Sequence, residues 1–276
     1  MSGTINKCKA SLGWIIKDTL SRFGNPNKQC NVGGYVIDVD IREGIQKGIY
    51  SGHNDVHETA WVTHILKHGM TVVDIGASFG YYSFLASSLV GKTGMVYAFE
   101  PSNHAYEKFT HNIEKNGITN IKPYCIALGE TEDDIEMFDS VGIGVNVHNI
   151  HAPSFMTKHY ENAEERSMGF IRTIRFDKFW EEHGNNKIDF MKIDVEGFEL
   201  PVLRGMESLF EKRMIKYIMI EYMQRTPLFS EGTDSAIMHQ MLNLHGFKII
   251  NRNLYEADDV GFMGNFLYEL KEIPKC

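Results

Sequence analysis

The residues with the clearest chemical meaning form a short glycine-containing stretch, Val73-Asp74-Ile75-Gly76-Ala77-Ser78-Phe79-Gly80. Gly76 and Gly80 bracket a tight turn between a predicted strand and a predicted helix, where glycine lets the backbone approach a ligand. A dinucleotide-binding loop reads GxGxxG, whereas this one reads DxGxxxG, with an acid at the strand end. That acid would repel a pyrophosphate and attract an ammonium or sulfonium group. The negative charge of Asp74 therefore favours S-adenosylmethionine over NAD as the ligand. The alternative is an ordinary glycine turn that binds no ligand.

A second acid, Glu100, lies 26 residues after Asp74, at the end of the next predicted strand. A carboxylate in that place can accept hydrogen bonds from both ribose hydroxyls of a nucleoside. The alternative is a solvated acid before Pro101. The loop and Glu100 together are more specific for a nucleoside cofactor than either is alone.

The elements that must position these residues alternate between strand and helix from residue 71 onward. Strands are predicted at 71–75, 95–100, 121–127, 188–194 and 215–222, with closing strands at 247–251 and 265–270. Helices are predicted between them at 81–90, 102–116, 200–210 and 233–245. Strands that are apolar on both faces indicate a mostly parallel sheet with helices on both sides. Such a sheet binds ligands at the carboxyl ends of its strands, where Asp74, Glu100, Asp194 and Glu221 are predicted to lie.

Three sequence blocks resemble the FkbM-type family of class I S-adenosylmethionine-dependent methyltransferases. They are VVDIGASFGYYSFLAS, YAFEPS and MKIDVEGFELPVLRGM, and the last is the most specific. The resemblance covers about residues 50–270. It implies a Rossmann-like fold with a seven-stranded, mostly parallel sheet, helices on both faces and one antiparallel strand. It also implies S-adenosyl-L-methionine as cofactor and O-methylation of a hydroxyl on a small molecule or sugar.

The resemblance assigns cofactor contacts residue by residue. It implies that the methionine part is held by Asp74, Gly76, Ala77, Ser78 and Gly80. Glu100 would hold the ribose, and the adenine would be flanked by Pro101, Ile126 and Ala127. Asp194 would lie beside the sulfonium, and Glu58 would reach the amino end of the cofactor. His57 stands where the family often has an aromatic residue.

A hydroxyl is a poor nucleophile, so methyl transfer to oxygen calls for a nearby base. Side-chain alternation along the strand at 188–194 places Lys192 and Asp194 on one face, with Glu196 just beyond the strand end. The catalytic candidates are Asp194 first, Glu196 second and Glu221 third. The alternatives are an ion pair with Lys192 for Asp194, a helix-terminal acid for Glu196 and a structural acid for Glu221.

Two regions outside these motifs are less regular. Residues 1–50 are interpreted as an N-terminal extension with a short strand, before a methyltransferase domain at 51–276. The sequence leaves open whether this extension contacts the substrate, forms a dimer contact or does neither. Residues 140–170 lack periodicity and are interpreted as a substrate-side loop. His148 and His151 in that loop are three residues apart, but no carboxylate lies between them, so no metal site is predicted.

The amino-acid composition limits the kinds of molecule that the protein is expected to bind and the compartment in which it is expected to lie. The formal net charge is −8, which argues against nucleic acid as a partner. Four scattered cysteines fit a reducing compartment, and no apolar run is long enough to span a bilayer, so the expected location is the cytoplasm. A small-molecule or carbohydrate acceptor is expected, and a homodimer is compatible with the sequence. The competing functions are an NAD-dependent oxidoreductase and a non-catalytic cofactor-binding scaffold.

Overall fold

A computed structural model describes residues 25–52, 55–141, 148–150, 164–183, 186–224, 228–230, 232–257 and 261–272. The first strands in chain order are β1 (Asn27–Val32), β2 (Tyr35–Asp40), β3 (Thr71–Ile75), β4 (Met95–Phe99), β5 (Ile121–Tyr124), β6 (Ala127–Leu128) and β7 (Asp134–Val141). The later strands are β8 (His148–Ile150), β9 (Glu164–Ile174), β10 (Ile188–Ile193), β11 (Ile215–Gln224), β12 (Phe247–Ala257) and β13 (Gly261–Leu270). The described helices are α1 (Gly44–Ser51), α2 (Val56–Ile65), α3 (Tyr81–Val90), α4 (Asn103–Lys115), α5 (Phe176–His183), α6 (Glu199–Arg204), α7 (Glu207–Glu211) and α8 (Asp234–Leu244).

The central sheet of the described chain has seven strands in the order β12-β13-β11-β10-β3-β4-β5. Strands β11, β10, β3, β4 and β5 pair in parallel, whereas β13 is antiparallel to both β11 and β12. This confirms the predicted mostly parallel sheet with one antiparallel strand. The chain order reverses between β3 and β10, so the carboxyl ends of these two strands form the crevice where such folds bind ligands.

Alternating side chains of the sheet enter two apolar clusters, one on each face. Val73 and Met191 pack in one cluster with helices α5 to α8, while Val72 and Phe190 pack in the other with helices α3 and α4. Because both faces are covered, the strands have to be apolar on both sides. The predicted covering of the sheet by helices on both faces is confirmed.

An N-terminal hairpin packs on the same side as α3 and α4. Strands β1 and β2 pair antiparallel, and Ile37 and Val39 of β2 are buried in the cluster that contains Phe84 and Phe109. The expected short strand in this region is β2; β1 and α1 add to it. Strand β1 was hard to foresee because its residues alternate between exposed and half-buried until Val32. Residues 1–24 lie outside the described residues.

The segment 140–170 differs from the loop expected there. Strands β7, β8 and β9 extend into it and, with β6, form a second sheet in the order β6-β9-β7-β8. The ladder between β7 and β9 shifts its register between Met137 and Phe138, and such a shift interrupts the alternation that a sequence pattern needs. Residues 142–147 and 151–163, with His151, lie outside the described residues. Within the described part, no helix is long and apolar enough to cross a membrane.

Candidate active site

The glycine-containing turn joins β3 to α3 at the carboxyl edge of the sheet. Gly76 has a φ of 79°, and a β-carbon there would lie 1.8 Å from the backbone oxygen of Asp194. Gly80, with a φ of 99°, has no room for a β-carbon either, since it would lie 2.2 Å from the Phe109 ring. The N–H groups of Gly76 and Ala77 both donate to the Phe99 carbonyl at 3.0 Å. Close packing against the end of β10 therefore explains the glycine at residue 76, and packing against the Phe109 ring of α4 explains the glycine at residue 80.

Asp74 lies one residue before the end of β3, and one oxygen of its buried carboxylate lacks a hydrogen-bond partner among the described residues. The side chain is 2% exposed, and the Ser83 hydroxyl donates to Oδ2 at 2.6 Å. Oδ1 is buried and has no hydrogen-bond partner among the described residues. Burial raises the pKa of Asp74, while Lys192 and the Ser83 hydroxyl pull that pKa down. A buried acceptor without a donor is costly, so Oδ1 is suited to a donor supplied by a ligand, such as an ammonium.

Glu100 follows β4 and joins two loops. Its Oε2 accepts from the Ser78 N–H at 2.7 Å and its Oε1 accepts from the Ser102 N–H at 2.8 Å. Burial raises the pKa of Glu100 to about 7, although both N–H bonds oppose the shift. Each carboxylate oxygen has more than one acceptor position, so both can still receive a ribose hydroxyl. Because β3 and β4 pair in parallel, Glu100 and Asp74 lie at the same sheet edge.

The expected adenine-side residues follow β4 and β5. Cys125 Sγ lies 3.9 Å from the Pro101 carbonyl oxygen, so the two loops meet here. Ile126 is partly buried against the core. Ala127 is 2% exposed and pairs with Thr173 in the second sheet, which leaves its side chain almost no accessible surface.

Asp194 follows β10 and forms an ion pair with Lys192. From the sequence, this ion pair was the alternative to a catalytic role for Asp194. Lys192 Nζ lies 2.9 Å from Asp194 Oδ2, and the Asp194 side chain keeps 32% of its surface exposed. The pair uses Oδ2 of Asp194 and leaves Oδ1 outside the ion pair. An ion pair and a contact with a ligand are therefore compatible at this residue.

Glu196 and Glu221 lie close to Asp194 in a group of carboxylates. Glu196 has a φ of 56°, a left-handed conformation that is uncommon for a residue with a side chain. Burial and then the charge of Asp194 raise the pKa of Glu196 to about 8. The same two causes raise the pKa of Glu221 well above its ordinary value. The structure thus brings the three predicted catalytic residues together.

Glu58 is placed near this edge but is already bonded. It is 2% exposed, and Asn253 Nδ2 donates to its Oε1 at 2.9 Å. This bond ties α2 to β12 across the end of the sheet. Any contact of Glu58 with a cofactor would use its remaining acceptor positions.

Four further side chains shape the site and were not singled out from the sequence. Glu199 Oε1 accepts from the N–H groups of Val195 and Gly197 at 3.0 and 3.1 Å. The other three are Ser83 beneath Asp74, Tyr82, whose hydroxyl donates to Asp55 at 3.1 Å, and Asp55 itself. The helical period places Ser83 on the side of α3 that faces the strands, and this periodicity could have identified the residue from the sequence. Nothing distinguished Glu199 from an ordinary acid in the first turn of a helix.

Metal ligands do not form an evident cluster in the described residues. No group of three or more His, Cys, Asp or Glu side chains there is arranged to hold an ion. His148 belongs to β8, and His151 lies outside the described residues.

The strand order, the antiparallel β13 and the acidic glycine turn define a class I methyltransferase fold. The chain matches the family model described as "Methyltransferase FkbM domain" over residues 74–249, and it belongs to that family. The cofactor of this domain is S-adenosyl-L-methionine. An unpartnered buried oxygen on Asp74 and a carboxylate with spare acceptor positions on Glu100 fit the ammonium and ribose of that cofactor.

Individual relatives are distant. The hexuronic acid methyltransferase AglP of Haloferax volcanii is 26% identical over 148 residues, which is 54% of each chain. The chain thus spans about half the length of this curated relative. Among solved structures, the METTL16 methyltransferase domain matches with a TM-score of 0.49 and 12% identity, covering 92% of this chain and 77% of that one. Fibrillarin of Aeropyrum pernix with bound S-adenosyl-L-methionine matches with a TM-score of 0.43 and 14% identity, covering 76% and 73%.

Proposed function

We propose that this domain transfers a methyl group from S-adenosylmethionine to a hydroxyl oxygen of a small molecule or sugar. The observation that supports this most directly is the contact between Gly76 and Asp194. The end of β10 lies against the cofactor turn so closely that a β-carbon would not fit. A methyl donor bound over that turn therefore has the carboxylates of Asp194, Glu196 and Glu221 as its neighbours.

The cofactor supplies a methyl group on a positively charged sulfur, which is already a good leaving group. What the protein has to add is alignment, exclusion of water and a place for the acceptor proton. In this proposal the free oxygen of Asp194 orients the acceptor hydroxyl, and the ionised form of Glu196 receives its proton. A base with a pKa of about 8 is well matched to a task near neutral pH. Glu221 would lie beside these two groups and, because its pKa is raised well above the ordinary value, would keep its proton to a higher pH than an ordinary glutamate.

The cofactor contacts proposed from the sequence keep their assignments. Asp74 and the backbone of Gly76, Ala77, Ser78 and Gly80 would hold the methionine part, and Glu100 the ribose. Pro101, Ile126 and Ala127 would border the adenine, and Glu58 would lie near the amino end. Two observations support the first two of these assignments. Asp74 Oδ1 has no hydrogen-bond partner among the described residues, and Glu100 accepts hydrogen bonds from backbone N–H groups of two different loops.

A carbohydrate acceptor is supported by the printed name of the Haloferax volcanii relative, a hexuronic acid methyltransferase. The segment 140–170 remains the proposed substrate side of the domain. A cytoplasmic location, a homodimer and the absence of a nucleic acid partner stay predictions. Membership of a methyltransferase family argues against the NAD-dependent oxidoreductase, and the non-catalytic scaffold is addressed by the following experiment.

The test incubates the full chain with isotopically labelled S-adenosylmethionine and a panel of hexoses, hexuronic acids and oligosaccharides, and analyses the products by mass spectrometry. The proposal predicts a labelled methyl ether on one class of acceptor, with S-adenosylhomocysteine formed in equal amount. Asp194→Asn should lower the rate while leaving affinity for S-adenosylhomocysteine within a few-fold. Tight cofactor binding without turnover on any acceptor, including a cell extract, would instead favour the scaffold.

A further inference from the structure

Lys192 is a buried cation in the middle of the acidic site. It is 6% exposed and lies on β10 directly opposite Asp74 of β3 in the parallel register. Its Nζ lies 2.9 Å from Asp194 Oδ2 and 5.1 Å from the centre of the Tyr82 ring. Lys192 therefore lies between the carboxylate assigned to the cofactor and the carboxylate assigned to the acceptor.

The groups that interact with Lys192 come from every element packed around it. They are Asp74 on β3, Tyr82 on α3, Asp55 before α2, Glu100 after β4, Asp194 and Glu196 after β10, and Glu221 on β11. Burial alone would lower the pKa of Lys192, but the charges of Asp194, Asp74 and Asp55 outweigh it and raise that pKa above its ordinary value. The ammonium is thus charged throughout the physiological range.

Building on the proposed function, we propose that Lys192 is a positioning residue that fixes Asp194 and keeps Asp74 anionic for the cationic end of the cofactor. Carboxylates that share a dry space cannot all stay ionised, and one takes up a proton unless a cation is near. Asp74 is open to that outcome, because it is almost fully buried and its Oδ1 has no hydrogen-bond partner among the described residues. A protonated Asp74 could no longer pair with an ammonium group.

The experiment measures calorimetric affinity for S-adenosylhomocysteine between pH 5.5 and 8 in the wild type and in Lys192→Met. In both proteins, binding should weaken as the pH falls, because Asp74 and Glu100, the carboxylates proposed to hold the cofactor, take up protons. In Lys192→Met we expect this loss of affinity to begin at a pH that is higher by about one unit or more. The variant should therefore bind S-adenosylhomocysteine about tenfold more weakly at pH 6 than at pH 8. A residue with a purely structural role would change affinity equally at all pH values.

The controls separate charge from folding. Lys212→Met removes a comparable ion pair, with Glu181 at 2.6 Å on the surface, and should keep the wild-type profile. If Lys192→Met does not fold, the double variant Lys192→Met with Asp194→Asn removes both partners of the buried pair. It should still show an upward shift, but a smaller one, because the charge of Asp194, which raises the pKa of Asp74, is removed as well. A wild-type pH profile in a folded Lys192 variant overturns the proposal. Failure of the folded wild type to bind S-adenosylhomocysteine at any pH overturns both this proposal and the proposed function.

Discussion

The backbone oxygen of Asp194 lies so close to Gly76 that a β-carbon at residue 76 would come within 1.8 Å of it. This contact joins the cofactor turn after β3 to the acidic segment after β10. The two strands are neighbours in the sheet although Ile75 and Ile193, where they end, are 118 positions apart in the sequence. In the proposed function, this single pair of parallel strands would position both the methyl donor and the acceptor.

Replacement of Gly76 by alanine should disrupt cofactor binding. The added carbon meets a backbone atom, which cannot move aside as a flexible side chain could. We expect Gly76→Ala to bind S-adenosylhomocysteine at least about tenfold more weakly, as measured by calorimetry. Gly117→Ala is the matched control, since Gly117 also has a positive φ but no atom near its missing β-carbon. Equal losses in both variants would show that backbone conformation, and not the contact with Asp194, is decisive.

Loss of the Ser83 hydroxyl should weaken both stability and cofactor binding. Ser83→Ala removes the hydroxyl that donates to Oδ2 of the buried Asp74, whose Oδ1 already has no partner among the described residues, at a cost of about 1–3 kcal/mol. Denaturant unfolding and calorimetry with S-adenosylhomocysteine measure the two effects. Ser88→Ala on the same helix removes only a bond to the Leu85 carbonyl and should change binding little. Wild-type affinity in a folded Ser83→Ala variant would argue against Asp74 as a cofactor ligand.

Glu199 should control the conformation of the segment that presents Glu196. Its Oε1 accepts from the N–H groups of Val195 and Gly197, and glutamine has an equivalent oxygen. We therefore expect Glu199→Ala to speed amide exchange at residues 195 and 197 and to reduce turnover, while Glu199→Gln retains both properties. Hydrogen exchange followed by mass spectrometry measures the first effect. Glu207→Ala, at an exposed acid in α7, is the control; unchanged exchange in Glu199→Ala would contradict the assignment.

The buried carboxylates should make stability depend on pH with a defined sign. Burial raises the pKa of Glu199 from 4.5 to about 7. The unfolded chain therefore loses this proton first as pH rises, and the folded state loses stability between about pH 4.5 and 7. Glu199→Gln removes that penalty, so its melting temperature relative to wild type should climb from pH 5 to pH 8. A difference that is constant over this range would show that Glu199 is already ionised in the folded protein at pH 5.

Much of the central sheet could be predicted from sequence because its strands are short apolar runs and its helices have clear ends. Helix α3 was predicted at 81–90 and is found at Tyr81–Val90. The antiparallel direction of β13 came from the family resemblance, since alternation does not show strand direction. The single helix expected at 200–210 is instead α6 and α7. A β-carbon at Gly205 would lie 2.0 Å from the Gly129 backbone oxygen, a tertiary contact that the local pattern cannot show.

Site residues that directly follow a strand could be predicted from the sequence. Hydrogen bonds between a site residue and a residue on a distant element could not. Asp74, Glu100, Asp194 and Glu221 were expected at one sheet edge, and they lie there. The bond between Glu58 and Asn253 joins residues 195 positions apart, so no spacing rule could have shown it. Glu199 was overlooked because its role depends on a backbone turn in which Glu196 has a positive φ.

The most direct measurement of the central claim is calorimetric titration of S-adenosylhomocysteine into wild-type protein, Asp74→Ala and Asp134→Ala. We expect saturable binding to the wild type and to Asp134→Ala, where an exposed acid of β7 is removed. We also expect at least about a tenfold loss of affinity in Asp74→Ala. Equal affinity in all three folded proteins, or no binding by the wild type, would contradict the central claim.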